Sequence, residues 1–155
     1  VADKSSLEEK VAVINVSDDG RHIKFNAANG FRPFPGGSKK FSIKFDVVSS
    51  KYWSLANIIP NQIKNKHQGE NPSLLRNTLA LISSTDLVEW ETRKVVLQHP
   101  DTRGHGFQYA DWIIDGQDIV FVSRTAVNEP TTMGLKSNLS KLITFHRITD
   151  FRNAR

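Results

Sequence analysis

The stretch at residues 106–126, GFQYADWIIDGQDIVFVSRTA, constrains the fold most, because it has the pattern of a β-hairpin. Its first half alternates its side chains with period two and is rich in aromatic and β-branched residues, which is typical of a strand. Asp115-Gly116 then predicts a two-residue type I′ turn, since both residues tolerate positive φ. Residues 119–122 return as a second strand, which we expect to be buried on both faces.

Short strands of the same kind recur along the whole chain. They are predicted at residues 11–16, 22–25, 40–48, 52–59, 78–82, 94–97 and 141–148. Residues 26–37 are predicted to form a loop, because Pro33 and Pro35 bar regular pairing. Residues 61–72 form a second, polar loop, and no segment keeps a helical period over three turns. The sequence therefore predicts an all-β protein.

Composition excludes several classes of function. The chain has no cysteine, which removes disulfides, thiolate metal sites and cysteine nucleophiles. Its net charge of +5 suits an anionic partner such as an acidic sugar, although the scattered lysines and arginines also fit a merely basic surface. No run approaches the roughly 18 apolar residues of a membrane span. Basic residues are not interleaved with aromatic ones in one patch, which argues against nucleic-acid binding.

A turn motif recurs along the chain and predicts how the strands are grouped. Ser17-Asp18-Asp19 and Ser84-Thr85-Asp86 each follow an apolar strand, and an apolar residue, Ile23 or Trp90, lies four positions after the last aspartate. A weaker third copy contains Asp150. The three aspartates are 67 and 64 residues apart, which suits four-stranded propeller blades. We expect each Ser and Asp to bond backbone amides, and the trailing apolar residue to anchor the turn in the core.

The sequence SSTDLVEW, at residues 83–90, resembles a contracted form of the Asp-box of sialidases. A wider set of runs resembles the C-terminal part of a bacterial family of sialidase-like, glycoside-hydrolase-related β-propeller proteins, over residues 30–152. These runs are FPGGSKKFSIKFD, YWSLANII, RNTLALISSTDLVEW, HGFQYADW, DGQDIVFVSRTA and ITFHRITDFR. The resemblance implies a glycoside hydrolase that removes a terminal sugar from an extracellular glycan, in a secreted or periplasmic location. In the family a His-Asp pair precedes the last strand, where this chain has Asn138 and Leu139.

The length of the chain limits the number of blades. At about 65 residues a repeat, 155 residues supply fewer than three blades, whereas closed propellers typically have about 4–8. We expect one partial propeller domain over residues 1–155, or about two and a half four-stranded blades, with pieces at 11–25, 40–97 and 107–150. Because this number of blades cannot close a propeller, a fragment of a five- or six-bladed protein is the favoured interpretation, and the opening Val in place of Met predicts that an upstream segment has been removed. Association of two or more copies and an open array of sheets are the alternatives.

The mouth of the propeller channel is the expected ligand site. The first strand of each blade lines the channel, which places Gln108, Tyr109 and Asp111 near its mouth, beside the loop at residues 36–39. Glycoside hydrolysis usually needs two carboxylates, and Asp111 is the candidate for one of them, as an acid or a base. The alternative for Asp111 is a structural carboxylate that pairs with Arg124 or with a backbone amide.

The resemblance to sialidases adds a nucleophile and a carboxylate clamp. A sialidase uses a tyrosine nucleophile and arginines that bind the sugar carboxylate through paired hydrogen bonds. Tyr109, Arg76 and Arg124 have these residue types, and Gln108 is a further candidate for substrate binding. Each arginine alternatively fits a structural ion pair.

His105 and Trp112 complete the predicted substrate-binding residues. His99 and His105 bracket a polar loop, and histidines in such a place can act as an acid, a base or a metal ligand. The alternative is a pair of solvated histidines with no such role. Trp112, like Trp53, either stacks on a sugar ring or lies in the core. No cofactor and no metal are predicted, and the remaining blades or another copy of the chain are the expected protein partners. A non-catalytic glycan- or protein-binding propeller is the alternative function.

Overall fold

The computed structural model describes residues 7–127 and 142–155, and this part of the chain is all-β, as the sequence predicts. The strands in chain order are β1 Lys10–Ala12, β2 Ile14–Val16, β3 Ile23–Phe25, β4 Phe31–Pro33, β5 Ile43–Asp46, β6 Lys51–Asn57, β7 Thr78–Ser84, β8 Glu91–Gln98, β9 Gly106–Asp115, β10 Asp118–Ala126 and β11 Leu142–Ile148. The helical elements are one α-turn, α1 Asn61–Lys64, and two 3-10 turns, Pro72–Leu74 and Phe151–Asn153. The helical turns lie in connections, so the strands carry the fold.

The largest sheet is an antiparallel meander in which β5, β6, β7 and β8 pair in chain order. Every residue of β7 is buried, which explains its nearly continuous apolar sequence. The strand β5 is shorter than the predicted 40–48, and the exposed Val47 and Val48 belong to the turn that follows it. All four strands of this sheet therefore come from one continuous part of the chain.

A three-stranded meander follows, with the order β11-β10-β9. The predicted hairpin is confirmed, but its turn lies one residue later than predicted. Asp115 pairs with Asp118, so Gly116 and Gln117 form the two-residue loop. Of these two only Gly116 has positive φ, which is the pattern of a type II′ turn and not of type I′. The expectation that residues 119–122 are buried on both faces is wrong, because Val122 is exposed.

The two meanders pack face to face and enclose the main core. Trp53, Leu55, Leu79 and Leu81 from the four-stranded sheet meet Trp112, Ile119, Phe121 and Phe151 from the three-stranded unit. The opposite face of the four-stranded sheet has its own cluster, in which Ala56, Ala80 and Ile82 pack with Phe34, and Trp90 packs against it from outside. The four-stranded sheet is therefore the middle layer, and both of its faces are covered.

The N-terminal strands form two small antiparallel pairs, β1 with β4 and β2 with β3. The prediction that residues 26–37 are only loop is wrong, because β4 lies within them. Pro33 is opposite Lys10 at the end of a two-stranded pair, where a proline is tolerated because the sheet has an edge there. The predicted strand 11–16 is divided at Val13, whose amide donates to the Gly30 carbonyl.

The recurring turns adopt the expected hydrogen bonds. Ser84 Oγ donates to Asp86 at 3.0 Å, and the same carboxylate accepts from the Val88 amide at 2.8 Å. In the first copy Ser17 Oγ donates to Asp19. The anchoring role is uneven, because Trp90 packs edge-on against Phe34 whereas Ile23 is 74% exposed. The trailing residue is thus an anchor only in the second of these copies.

Candidate functional site

One end of the two large sheets gathers the functional candidates. This upper end is defined by the last residue of β6, Asn57, and by the first residues of β7 and β9, Thr78 and Gly106. Because neighbouring strands run antiparallel, the segments before β5, β7 and β9 and those after β6, β8 and β10 all meet here. The opposite, lower end carries the turns with Asp46 and Asp86.

Asn57 joins the two sheets at the upper end. Its buried side-chain amide donates to the Phe107 carbonyl at 2.7 Å and lies 3.3 Å from the carbonyls of Arg76 and Thr78. The Phe107 amide also donates to the Arg76 carbonyl at 2.9 Å. The starts of β7 and β9 are therefore fixed to each other, which holds the side chains of the next residues in a set geometry.

A buried ion pair fixes the loop before β5. Lys39 Nζ lies 2.7 Å from Glu9 Oε1, and the two side chains are almost completely buried. The Glu9 carboxylate also accepts from the Gly36 and Ser38 amides and from the Ser38 hydroxyl. Burial lowers the pKa of Lys39, Glu9 opposes this shift, and the Arg76 charge adds to it. Arg76 is therefore close enough to Lys39 to affect its charge.

Gly36 allows this loop to approach β6 closely. Its φ is +89°, and a Cβ atom there would lie 2.9 Å from the Asn57 carbonyl oxygen. A side chain would be strained in this conformation and would also clash with backbone. The loop at residues 36–39 thus lies against Asn57, whose side chain bonds the Phe107 carbonyl near the start of β9.

Gln108 is the centre of the site. Its side chain is 1% exposed, and its Oε1 accepts from Arg76 Nη1 at 2.7 Å and from Arg124 Nη2 at 3.2 Å. One neutral, buried acceptor thus holds two guanidinium groups side by side. Arg76 is further fixed by donating from Nε to the Ser73 carbonyl at 2.7 Å. Within the residues that the structure describes, Arg76 forms no ion pair.

Tyr109 lies at a β-bulge, where Tyr109 and Ala110 together oppose Ser123 of β10. Its φ of +53° is in the left-handed region, which is rare for a bulky residue and costs about 1–3 kcal/mol. The bulge changes the direction of the strand between Gln108 and Asp111. Gln108 is buried and the adjacent Tyr109 is 44% exposed, as the period-two alternation of a strand places them on opposite faces.

Three cations surround the Tyr109 ring. The guanidinium carbon of Arg124 lies 4.8 Å from the ring centroid, that of Arg76 lies 5.9 Å from it, and Lys40 Nζ lies 5.8 Å from it. These distances are within the range of cation–π attraction. Arg76, Arg124 and Lys40, with Tyr109 and Gln108, are called the cationic cluster below. The sequence interpretation named four of these five residues and missed Lys40.

Asp111 lies beyond the bulge and outside the cationic cluster. It is exposed on the outward face of β9, opposite Val122, beside a shallow cavity of about 210 Å³ that Ile113 and Phe145 also line. Its carboxylate accepts from the Trp112 amide at 3.1 Å. No ion pair joins Asp111 to Arg124, whose guanidinium lies over Tyr109 instead. Of the two partners that the structural alternative offered for Asp111, the structure shows the backbone amide and not Arg124.

Trp112 and His105 lie away from the cationic cluster. The Trp112 side chain is 1% exposed in the core between the sheets, so the predicted stacking on a sugar does not fit its position, and the same holds for Trp53. His105 stacks on His99 with ring centroids 3.4 Å apart, and its Nδ1 lies 3.4 Å from Asp101. The predicted role of His105 in substrate binding would therefore involve a neighbouring part of the upper end.

The residues that the sequence did not reveal act through long-range contacts. Glu9 and Lys39 are 30 positions apart, and Asn57 and Phe107 are 50 positions apart. No local pattern marks such pairs. The one local signal of such a contact is a polar residue at the end of a buried strand, as with Asn57, because a buried polar side chain needs a hydrogen-bond partner.

Other kinds of site receive no support in the described chain. Residues 7–127 and 142–155 contain no group of three or more potential metal ligands, and no helix there has the length and apolar character needed to cross a membrane. Asn138 and Leu139 lie outside the described residues. No family model, no curated protein and no solved structure matches this chain.

Proposed function

We propose that this protein binds an acidic sugar of a glycan, with the carboxylate held by Arg76 and Arg124. The observation that carries the proposal is the pair of guanidinium groups held on one buried Gln108 oxygen, at 2.7 and 3.2 Å. A carboxylate accepts paired hydrogen bonds from guanidinium groups, and such charge-assisted bonds are about twice as strong as neutral ones. Lys40 adds a third positive charge, with its Nζ 5.8 Å from the centroid of the Tyr109 ring.

The Tyr109 ring favours a sugar over a simple inorganic anion. Its ring is 44% exposed and forms a flat apolar surface between the cations. A sugar has apolar C–H faces as well as polar groups, so it can cover the ring while its carboxylate meets the arginines. The buried Asn57 and Gln108 keep these groups in place before the ligand arrives, which lowers the entropic cost of binding.

The architecture supports the same family of functions. We propose that the four-stranded meander is one propeller blade, that β9–β11 form most of a second, and that β2–β3 belong to a third. The four-stranded order β5-β6-β7-β8 and the Ser-Asp turns at Asp19 and Asp86 support this assignment. Apolar side chains exposed on β2, β3 and β11 fit sheets that further blades would cover, such as Ile14, Ile23, Ile143 and Phe145. The resemblance to sialidase-like propellers is consistent with an extracellular glycan as ligand.

Calorimetric titration tests this function directly. The probe is the methyl α-glycoside of N-acetylneuraminic acid, and the matched control is its methyl ester, which keeps the ring and removes the charge. We expect the acid to bind and the ester to bind at least about tenfold more weakly, because each charged hydrogen bond contributes about 1.5–3 kcal/mol. Equal binding of the two compounds, or binding of neither, would contradict the proposal.

Hydrolysis of the same glycan is a second candidate, favoured by the strained backbone of Tyr109. A left-handed tyrosine at a bulge is the kind of strain that accumulates at active sites. Tyr109 would be the nucleophile, and Asp111 would be the acid or base. The test is release of fluorophore from a 4-methylumbelliferyl glycoside of N-acetylneuraminic acid. Turnover that is lost in Tyr109→Phe supports hydrolysis, and binding of the acid without turnover excludes it.

A further inference from the structure

A second cavity, of about 370 Å³, opens at the upper end between the α1 segment and the loop that follows β8. Its polar lining consists of Gln62, Lys66, His67, Asn77, Gln98, His99 and Thr102. None of these residues belongs to the cationic cluster. The cavity falls within the size range of small-ligand sites.

Two histidines on its wall are held in place by neighbours. His67 Nδ1 lies 3.0 Å from Glu70 Oε1, and its Nε2 lies 3.4 Å from the Thr102 hydroxyl. His99 Nδ1 accepts from the Asp101 amide at 3.1 Å, which assigns the ring proton of the neutral imidazole to Nε2. The His99 ring also stacks on His105, which limits its rotation. These rings form ordered walls of the cavity.

The chemistry of the lining fits a neutral, hydroxyl-rich ligand. Three side-chain amides line the cavity, from Gln62, Asn77 and Gln98. An amide offers both donors and an acceptor, and a sugar hydroxyl likewise donates and accepts, so the two match without a net charge. Lys66 brings a positive charge to the lining, and the Glu70 carboxylate lies against His67 of the same lining. The cavity thus differs from the cationic cluster in the class of ligand that it favours.

Consecutive residues connect the cavity to the cationic cluster. Asn77 lines the cavity, and the residue before it in the chain is Arg76, with Cα atoms about 3.8 Å apart. Asn77 is 1% exposed, and its Nδ2 donates to the His99 carbonyl at 2.6 Å while its own carbonyl accepts from the His99 amide at 2.9 Å. These bonds attach the cavity rigidly to the segment that carries Arg76.

We infer that this cavity binds the neutral sugar unit adjacent to an acidic unit that the cationic cluster holds. The inference rests on the proposed function and makes its ligand class more specific. The ligand is an oligosaccharide in which an acidic residue is joined to a neutral one, and the amides of Gln62 and Gln98 together with His99 Nε2–H bond the hydroxyls of the neutral residue.

Titration with two probes tests the inference. The methyl α-glycoside of N-acetylneuraminic acid supplies the acidic unit alone, and 3′-sialyllactose adds neutral lactose to it. We expect 3′-sialyllactose to bind about tenfold more tightly, which corresponds to one or two additional neutral hydrogen bonds. In the Lys66→Ala/Gln98→Ala double variant this gain disappears, while affinity for the methyl glycoside is unchanged. Lys64→Ala is the matched control, because Lys64 is a lysine two positions before Lys66 and lines a different cavity.

The possible outcomes separate the two proposals. If both probes bind with the same affinity, or if the double variant weakens both equally, the second site is wrong and the proposed function stands. If neither probe binds, both proposals fail. Thermal melting of each variant shows whether it is folded. A second variant, Gln62→Ala, should independently reduce the gain in affinity for 3′-sialyllactose, and the loss of this exposed side chain at the rim of the cavity should not unfold the protein.

Discussion

The upper and lower ends of the sheets differ in how their charges are arranged. At the lower end carboxylates are matched by specific partners, and the clearest case is the buried Asp46, which accepts two hydrogen bonds from Arg152 at 2.7 and 2.8 Å. Arg147 bridges Asp115 and Asp118 in the same region. At the upper end Arg76 and Arg124 converge instead on a neutral amide and an aromatic ring.

This difference indicates which end is structural and which end binds. Hydrogen bonds hold the pKa of Asp46, of Asp86 and of Asp118 below the ordinary value, with Arg152, the Glu89 amide and Arg147 as the respective main causes. A carboxylate that is stabilised in this way closes a turn or joins two sheets. The upper end also has a structural ion pair, Glu9 with Lys39, and it differs in that two guanidinium groups share one neutral acceptor, which is where the proposed function places the acidic ligand.

The largest effect is expected from Arg152→Ala at the lower end. The substitution leaves the Asp46 carboxylate buried without its main partner, and we expect the free energy of unfolding to fall by about 3 kcal/mol in denaturant titration. Arg147→Ala is the control, because that pair is largely exposed and its loss should be clearly smaller. Affinity for the acidic sugar should not change in either variant. Weakened binding of the acidic sugar by folded Arg152→Ala would contradict the assignment of binding to the upper end alone.

Acid should remove the same contribution in the wild-type protein. The folded-state pKa of Asp46 is lowered, so the unfolded chain takes up its proton first as the pH falls. The stabilisation is therefore complete above about pH 4 and is lost as the pH falls further, through the folded-state value. Urea unfolding at pH 6, 4 and 3 measures the free energy of unfolding. This free energy should fall less steeply with pH in Arg152→Ala than in the wild-type protein. Equal slopes for the two proteins would argue against the ion pair.

Arg76→Gln should separate binding from stability at the upper end. The glutamine keeps a polar side chain but loses the charge, and we expect affinity for the methyl glycoside of N-acetylneuraminic acid to fall about tenfold to a hundredfold. Arg76→Lys should recover only part of this loss, because an ammonium group lacks the planar fork of the guanidinium. The melting temperature of each variant is the control. A large drop in melting temperature with unchanged affinity would assign Arg76 to structure.

The smallest effect is expected from Asp111→Asn. Asp111 is exposed and is bonded to the adjacent Trp112 amide, so the free energy of unfolding should change by no more than about 0.5 kcal/mol. Affinity for the acidic sugar should also stay the same, since the side chain lies outside the cationic cluster. A loss of stability above about 1 kcal/mol would indicate a structural partner for the carboxylate. A loss of glycoside turnover in the folded variant would instead support the catalytic role of Asp111.

Much of the fold was predictable because strand and turn signals are local. The period-two pattern and the turn residues between strands revealed the β9–β10 hairpin, and the Ser-Asp pairs identified turns whose hydrogen bonds span two or three residues. The start of β9 placed Gln108 and Tyr109 together, whereas Arg76 and Arg124 were named for their residue types through the resemblance to sialidases. Such features depend on short stretches of chain.

The remaining features depend on contacts that are distant in sequence. The alternation of β9 continues through the bulge, with Gln108, Ala110 and Trp112 buried and Tyr109, Asp111 and Ile113 exposed, but the pattern alone does not say which of the two faces is packed. Trp112 lies in the core because the three-stranded sheet packs on Trp53 and its neighbours, a contact between separate strands. The Glu9–Lys39 pair depends on how the N-terminal segment crosses the loop before β5.

The most direct test of the division between the two ends is a map of backbone amide chemical shifts during titration with the methyl α-glycoside of N-acetylneuraminic acid. The account predicts that shifts change at the upper end, at Arg76, Gln108 and Tyr109, and that the amides of the lower-end turns at Asp86 and Asp118 do not respond. Changes confined to the lower end or to the outward face around Asp111, with the cationic cluster unaffected, would contradict it.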